Sequence, residues 1–413
     1  MTNPVPWSRK SAKGIFKKHM LKTIKLTNLL SFGATTEISF NKGLNVLIGA
    51  NGSGKSNLIE AISLLQAMPK DLTKAVRDGG GIEEWLWKGE ENPIAQIEAV
   101  IQNPKGQQAL RHTLKFRATN YRIEVINELI ENEEMYSGAG YDQKYFYYRY
   151  DGKKATVNEK VKSRKRVLHW ENIETDQSIL AQRQDPDAYP EMSYLSSNYQ
   201  KIRLYREWQF GRYTPSRKPQ RADLPNDFLE ENIINLALIL NSLRQNRDAK
   251  KKLLEALKLF YEDIEDFDLR VHSGYVEIFF QESNFNSPIP ATRLSDGTLR
   301  YLSLLAILLH PNPPPLICIE EPELGLHPDI LPTLCDLLKE AAQKTQVIIT
   351  THSPDLIDDL TDMPEAVLVF DKYKGSTTVK SLKQNDLIEW LADYKDYKLG
   401  KLWRSGEFGG NRW

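Results

Sequence analysis

The chain has 413 residues, enough for a large core and more than one lobe, and its 40% hydrophobic and 27% charged content excludes wholesale disorder. Lys plus Arg equals Asp plus Glu at 55 each, so net charge does not point to a polyanionic partner, and any nucleic-acid reading rests on a local patch. Two cysteines, Cys318 and Cys335, sit in apolar segments without metal-like spacing, and the longest apolar run (303–309) is far short of the ~20 residues of a bilayer span. With no secretion signal at the start, the expected setting is the cytoplasm.

Residues 1–19 carry Arg9, Lys10, Lys13, Lys17 and Lys18 and are expected as a disordered basic extension, unless translation starts at Met20. Strand alternation begins at 21–26 and returns at 36–40, and the apolar run 44–48 reads as a buried strand. A helix is predicted over 56–68, then a break at Gly79-Gly-Gly81. Residues 95–150 read as strand-rich and 151–225 as irregular. A helical stretch over 227–262 breaks near Asn246, and strands return at 268–271 and 275–280. From 297 helix and strand alternate: helices at 297–310 and 329–343, buried strands at 316–319 and 347–350. That order implies helices packed on a partly parallel sheet.

Gly49-Ala-Asn-Gly-Ser-Gly54-Lys55-Ser56 satisfies the phosphate-loop pattern, between a predicted strand and a predicted helix. Glycines let successive backbone N–H groups turn toward phosphate oxygens, and the helix adds the positive end of its dipole. Gly49, Asn51, Gly52, Gly54, Lys55, Ser56 and Asn57 are therefore the candidate ATP-binding set. Lys55 would neutralise the β- and γ-phosphates, and the Ser56 hydroxyl would coordinate Mg²⁺. A Gly-rich turn matching by chance is on the order of one or two per cent in a chain of ordinary glycine content.

Leu294-Ser295-Asp-Gly297-Thr298 opens a helix, so Ser295 and Gly297 offer a hydroxyl and free N–H groups at a helix N-terminus. Alone, this would be a plain Ser cap. Downstream, the strand 316–319 ends in Glu320-Glu321 and the strand 347–350 is followed by Thr351-His352-Ser353. A carboxylate at a strand end can hold the Mg²⁺ shell, a second can polarise water, and an imidazole can orient that water.

The order of phosphate loop, Leu-Ser-Asp-Gly-Thr, Glu-Glu-Pro-Glu and Thr-His-Ser resembles the ABC-ATPase superfamily, in the RecF, SMC and OLD-like branch catalogued among AAA-family ATPases. Glu321-Pro-Glu-Leu-Gly-Leu-His-Pro328, Asn235-Leu236 and Leu26-Thr-Asn-Leu-Leu-Ser-Phe32 are also similar to that branch. The resemblance implies an α/β fold: a P-loop ATPase head with a mixed, partly parallel sheet flanked by helices. By it, 20–150 and 265–413 would form a split head and 151–264 an inserted, partly helical lobe. Glu320 would be the metal-holding carboxylate, in place of the usual aspartate, Glu321 the catalytic base and His352 the switch histidine. Ser295 and Gly297 would reach the γ-phosphate held by a second copy, so a homodimer or higher assembly with ATP at its interface is implied.

Tyr199 to Arg221 interleaves basic and aromatic residues, and Lys201, Arg203, Arg206, Arg212 and Arg217 are candidate nucleic-acid contacts. The alternative is a lid whose aromatics pack down while its arginines reach solvent. The Lys162-Ser-Arg-Lys-Arg166 run reads as a solvated loop. Phe32 is either an adenine-stacking ring or a core residue. Two functions follow: an ATP-driven dimer switch in DNA transactions or anti-phage defence, acting with a separate effector subunit, or an ATP-held scaffold or sensor with little turnover. About 60 residues follow His352, too few for an added nuclease domain on the length arithmetic of domains.

Overall fold

The structure is a computed structural model and describes residues 20–103, 106, 108–135, 144–159, 164–169, 173–385 and 398–408. The basic extension expected over 1–19 lies outside them.

Strands β1 (Leu21–Thr27), β2 (Thr36–Ser39) and β3 (Leu44–Gly49) lead into helices α1 (Lys55–Ala67), α2 (Leu72–Asp78) and the one-turn α3 (Ile82–Trp85). Then come β4 (Ala95–Ile101), β5 (Leu110–Thr119), β6 (Arg122–Asn132), β7 (Phe146–Tyr150), β8 (Lys154–Glu159) and β9 (Arg164–His169). The middle of the chain holds α4 (Ile179–Gln182), α5 (Pro190–Gln200), β10 (Arg203–Tyr205), β11 (Gln220–Arg221), α6 (Leu236–Gln245) and α7 (Arg247–Phe260). After the strands β12 (Ile264–His272), β13 (Tyr275–Glu282) and β14 (Ile289–Pro290) comes α8 (Asp296–Leu308). The remainder is β15 (Leu316–Glu320), α9 (Leu331–Ala341), β16 (Gln346–Thr350), α10 (Pro354–Asp358), β17 (Val367–Tyr373), β18 (Ser376–Ser381) and α11 (Leu399–Ser405).

Six strands form the central sheet in the order β10-β15-β16-β3-β17-β18. The first five run parallel and β18 returns antiparallel. Every residue of β3 is buried, as a parallel strand covered on both faces requires. Its alternation sorts the two covers. Val46 and Ile48 pack into the core built from α6, α7, α8 and α9. Leu47 packs instead with α1 and the second sheet. That second sheet is an eight-stranded antiparallel one, in the order β2-β1-β4-β5-β6-β7-β8-β9.

The break expected near Asn246 is present because the Asn246 side chain caps α7, accepting from Ala249 N–H at 3.0 Å. The helix before it starts at Leu236 rather than near 227, since the Asn235 amide ties down the preceding turn through Pro225 O and Phe228 O. One further expectation is corrected. Residues 164–166 of the basic run expected as a loop belong to the edge strand β9, which pairs with β8. Within the segment 151–264, β8 and β9 extend the antiparallel sheet and β10 is a strand of the central sheet. A three-residue strand, Arg203-Leu-Tyr205, carries too little periodicity to be seen in sequence.

Candidate active site

Parallel strands present their carboxyl ends together, and here those ends carry the singled-out residues. The register pairs Glu320 with Thr350 and Thr350 with Leu47, so the loops after β3, β15 and β16 emerge side by side.

After β3 the chain turns through Gly49 (φ 147°), Gly52 (φ 73°) and Gly54 (φ 106°). A Cβ at Gly49 would sit 2.2 Å from Phe370 O, and one at Gly54 would sit 2.2 Å from Thr377 Oγ1. No other residue fits either position. Gly54 caps α1 without a side-chain bond, leaving the first-turn N–H groups to meet an anion. Ser53 Oγ is buried with no partner, a further polar atom available to a phosphate oxygen. Asn51 is exposed and Asn57 half-buried at the mouth of the loop. Lys55 is buried, and its ammonium donates to Gly49 O at 2.9 Å and Ala50 O at 3.1 Å. Burial pulls its pKa down to about 8, opposed by the nearby Glu321 and Glu320.

The Ser56 hydroxyl donates to Glu320 Oε2 at 2.9 Å, joining two residues 264 positions apart. A hydroxyl and a carboxylate oxygen beside a ring of phosphate-facing N–H groups fit a Mg²⁺–nucleotide. Burial pushes the Glu320 carboxyl up, while the Ser56 hydrogen bond and Arg206 pull it down. A bound cation would favour the ionised form.

Glu321 follows with a left-handed backbone, φ 46°, uncommon for a residue with a side chain. Its carboxylate lies 3.9 Å from His352 Nε2. Burial, and then the Lys55 charge, lower the His352 pKa, with Glu321 opposing. A neutral imidazole beside a carboxylate can accept and orient a water.

Ser295 and Gly297 are placed elsewhere. Ser295 caps α8, its Oγ accepting from Thr298 N–H at 3.0 Å, and it is exposed. Among the described residues no hydrogen bond joins Ser295 or Gly297 to 49–57. Gly297 instead abuts the loop after β15: a Cβ there would lie 3.1 Å from Gly325 O.

Four residues went unassigned in sequence. Glu323 Oε1 accepts from Thr351 Oγ1 at 2.6 Å and from His352 N–H at 3.0 Å, fixing the turn that carries the imidazole. Its only sequence signal is its place three residues after Glu320. Thr377 Oγ1 donates to Ser53 O at 2.9 Å, bracing the phosphate loop from β18. Arg300 is a buried cation in an otherwise apolar helix, and that contrast was its signal. Trp208 Nε1 donates to Glu320 O at 3.3 Å.

Trp208 belongs to the basic-aromatic stretch, several of whose cations are engaged within the protein. Arg203 donates to Gln200 O and Ile202 O, and Arg206 pairs with Glu60. Arg217 is buried and bound to Leu294 O and Asp296. Lys201 and Arg212 are exposed. Tyr199, Tyr205 and Phe210 are core residues, as is Phe32, so none offers a face to a base. Part of the stretch is thus packed, with Arg203 and Arg217 turned onto the protein's own carbonyls, while Lys201 and Arg212 stay at the surface.

A protein-family model described as "AAA domain, putative AbiEii toxin, Type IV TA system" matches residues 44–358. The chain belongs to that family. It is an ATPase of the ABC type with the head fold seen in Smc proteins. The ATPase is similar in fold to a Smc head bound to the C-winged helix domain of ScpA, with a TM-score of 0.54 and 15% identity over 89% of this chain and 99% of that one. It is similar also to the Pyrococcus furiosus Smc head with an extended coiled coil, bound to the C-terminal domain of ScpA, with a TM-score of 0.56 and 13% identity over 91% and 99%. In sequence the ATPase is 28% identical over 133 residues to the chromosome partition protein Smc of Mycobacterium tuberculosis, covering 29% of this chain and 11% of that protein. It is 49% identical over 45 residues to the DNA double-strand break repair Rad50 ATPase of Methanopyrus kandleri, covering 11% and 5%. The ATPase thus matches only a small part of these relatives' length. No helix among its described residues is long and apolar enough to cross a membrane, and both cysteines are free and buried.

Proposed function

We propose that this ATPase is a dimerisation switch in which two copies enclose ATP, each supplying half of a composite site. The observation that supports it most is the Ser56–Glu320 contact, which assembles a metal-holding pair beside the phosphate loop. Ser295, exposed, and Gly297, half-buried beside it, make no hydrogen bond to their own phosphate loop among the described residues and are then available to a second copy's nucleotide. Leu324, exposed in the adjoining loop, would be covered by the same contact.

In this reading the N–H groups of Gly49 to Gly54 and the Lys55 ammonium hold the phosphates, with Asn51 and Asn57 at the rim. Ser56 and Glu320 would hold Mg²⁺, whose charge would offset that of the phosphates. Glu321 accepts a proton from the attacking water, and His352 orients that water against the γ-phosphate. Turnover separates the two copies, and the motion drives a partner. The Smc and Rad50 relatives support action in DNA transactions. A defence role with a separate effector or toxin subunit is the second reading, favoured by the family's description.

The test is ATP turnover measured together with mass in solution, for wild type and Glu321→Gln, with and without DNA. Slow wild-type hydrolysis, an inactive variant and an ATP-dependent dimer trapped by it are the expected results. Mass that ignores nucleotide in both proteins would leave a sensor or scaffold.

A further inference from the structure

We propose that Arg300 is a positioning residue: it holds Glu321 in its left-handed conformation and ties that conformation to the opening turn of α8. The inference rests on the composite-site reading and adds to it a connection between the two half-sites within one copy.

A non-glycine residue at φ 46° persists only where its surroundings fix it. Here both backbone groups of Glu321 are held. Its N–H donates to Thr350 O at 3.1 Å and Thr350 Oγ1 at 3.2 Å, and its carbonyl accepts from Arg300 Nη2 at 2.8 Å. Arg300 is 7% exposed, and its Nε has no partner. Burying a guanidinium inside an apolar helix is costly, which asks for a role beyond packing. The guanidinium lies over the Trp208 ring at 5.1 Å, and the indole N–H takes the carbonyl of Glu320. Two consecutive carbonyls, of the metal-holding and the proton-accepting glutamates, are thus gripped by two side chains that stack on each other.

The contacts close a circuit. Trp208 stacks on Phe210 at 5.9 Å, and Phe210 O accepts from Arg217. Arg217 also donates to Leu294 O and Asp296, at the turn that carries Ser295 and Gly297. Arg300 stands about one helical turn beyond that turn on the same rigid helix. A nucleotide of the second copy that shifts Ser295–Gly297 would move Arg300 with it, and so the carbonyl of Glu321. Each copy's signature turn would then report to its own catalytic glutamate.

The test uses the full chain and reads ATP turnover against ATP concentration, with mass in solution. Arg300→Met is expected to lower kcat about 30-fold, with KM within about threefold and the ATP-dependent dimer retained. Arg300→Lys, which keeps a charged donor, is expected to recover much of the loss. A kcat within about twofold of wild type for Arg300→Met overturns the proposal. So does a loss in which kcat and KM shift together and lysine gives no rescue. Should Arg300→Met fail to fold, Trp208→Phe decides. It keeps the ring and removes the N–H bond to Glu320 O, and an unchanged kcat overturns the proposal, while a fall of about fivefold at constant KM supports it. Glu321→Gln separates the two ideas. An inactive Glu321→Gln beside a wild-type-like Arg300→Met leaves the composite site standing without this connection, whereas an active Glu321→Gln removes both.

Discussion

Thr350 holds Glu321 twice: its carbonyl oxygen accepts the Glu321 N–H at 3.1 Å and its hydroxyl accepts it at 3.2 Å. The residue ending β16 thereby sets the direction in which the carboxylate after β15 leaves the sheet. Thr350→Val keeps the shape and the carbonyl but removes the hydroxyl. A net hydrogen bond is worth about 1 kcal/mol, so kcat is expected to fall about fivefold. Steady-state kinetics would show that fall with ATP affinity unchanged. An unaltered kcat would mean that the carbonyl suffices.

The Ser56–Glu320 pair makes a prediction about metal. Glu320→Gln keeps an oxygen near Ser56 but loses the charge that draws a divalent cation. The Mg²⁺ concentration giving half-maximal turnover should rise about tenfold or more, with nucleotide binding in the absence of Mg²⁺ little changed. A Mg²⁺ titration at saturating ATP checks this, and equal midpoints would exclude Glu320 from the metal site.

Glu323 makes a prediction about pH. Burial raises its carboxyl above the ordinary glutamate value of 4.5, although Thr351 and His352 pull it down. The folded state therefore binds a proton that the unfolded chain has released. The associated stability is fully present below 4.5 and is lost as pH rises through the folded value. Glu323→Gln removes the titration and keeps an acceptor for Thr351 and His352. Denaturant unfolding of both proteins from pH 4 to 8 should show the variant gaining on wild type as pH rises. Parallel curves would reject the assignment.

Arg217 makes a stability prediction. Its side chain is 7% exposed and satisfies Leu294 O, while its Asp296 partner is largely solvent-facing, so the ion pair itself counts for little. Arg217→Met should cost about 2 kcal/mol, mainly through the carbonyls left unpaired. It should also weaken the ATP-dependent dimer, because the turn bearing Ser295 loses its anchor. Chemical denaturation and mass in solution read the two effects separately.

Much of this ATPase could be read along the chain wherever its chemistry is local. The phosphate loop needs glycine at backbone angles only glycine adopts, and the strand and helix around it follow from continuous and periodic apolar runs. That Ser56, Glu320, Glu321 and His352 lie close together follows likewise, because a parallel sheet delivers its strand ends to one edge and each strand announced itself. Tertiary structure alone decided how distant segments meet. The short β10 joined the central sheet through pairing that leaves no periodic trace. Arg203, Arg206 and Arg217, basic in composition, became internal donors once carbonyls and carboxylates from elsewhere faced them. Arg300, Trp208 and Thr377 donate to backbone carbonyls, which every residue possesses, so the sequence does not show which carbonyl each one meets. Side-chain chemistry at strand ends is written locally, whereas the hydrogen bonds that orient it depend on contacts only the folded chain brings together.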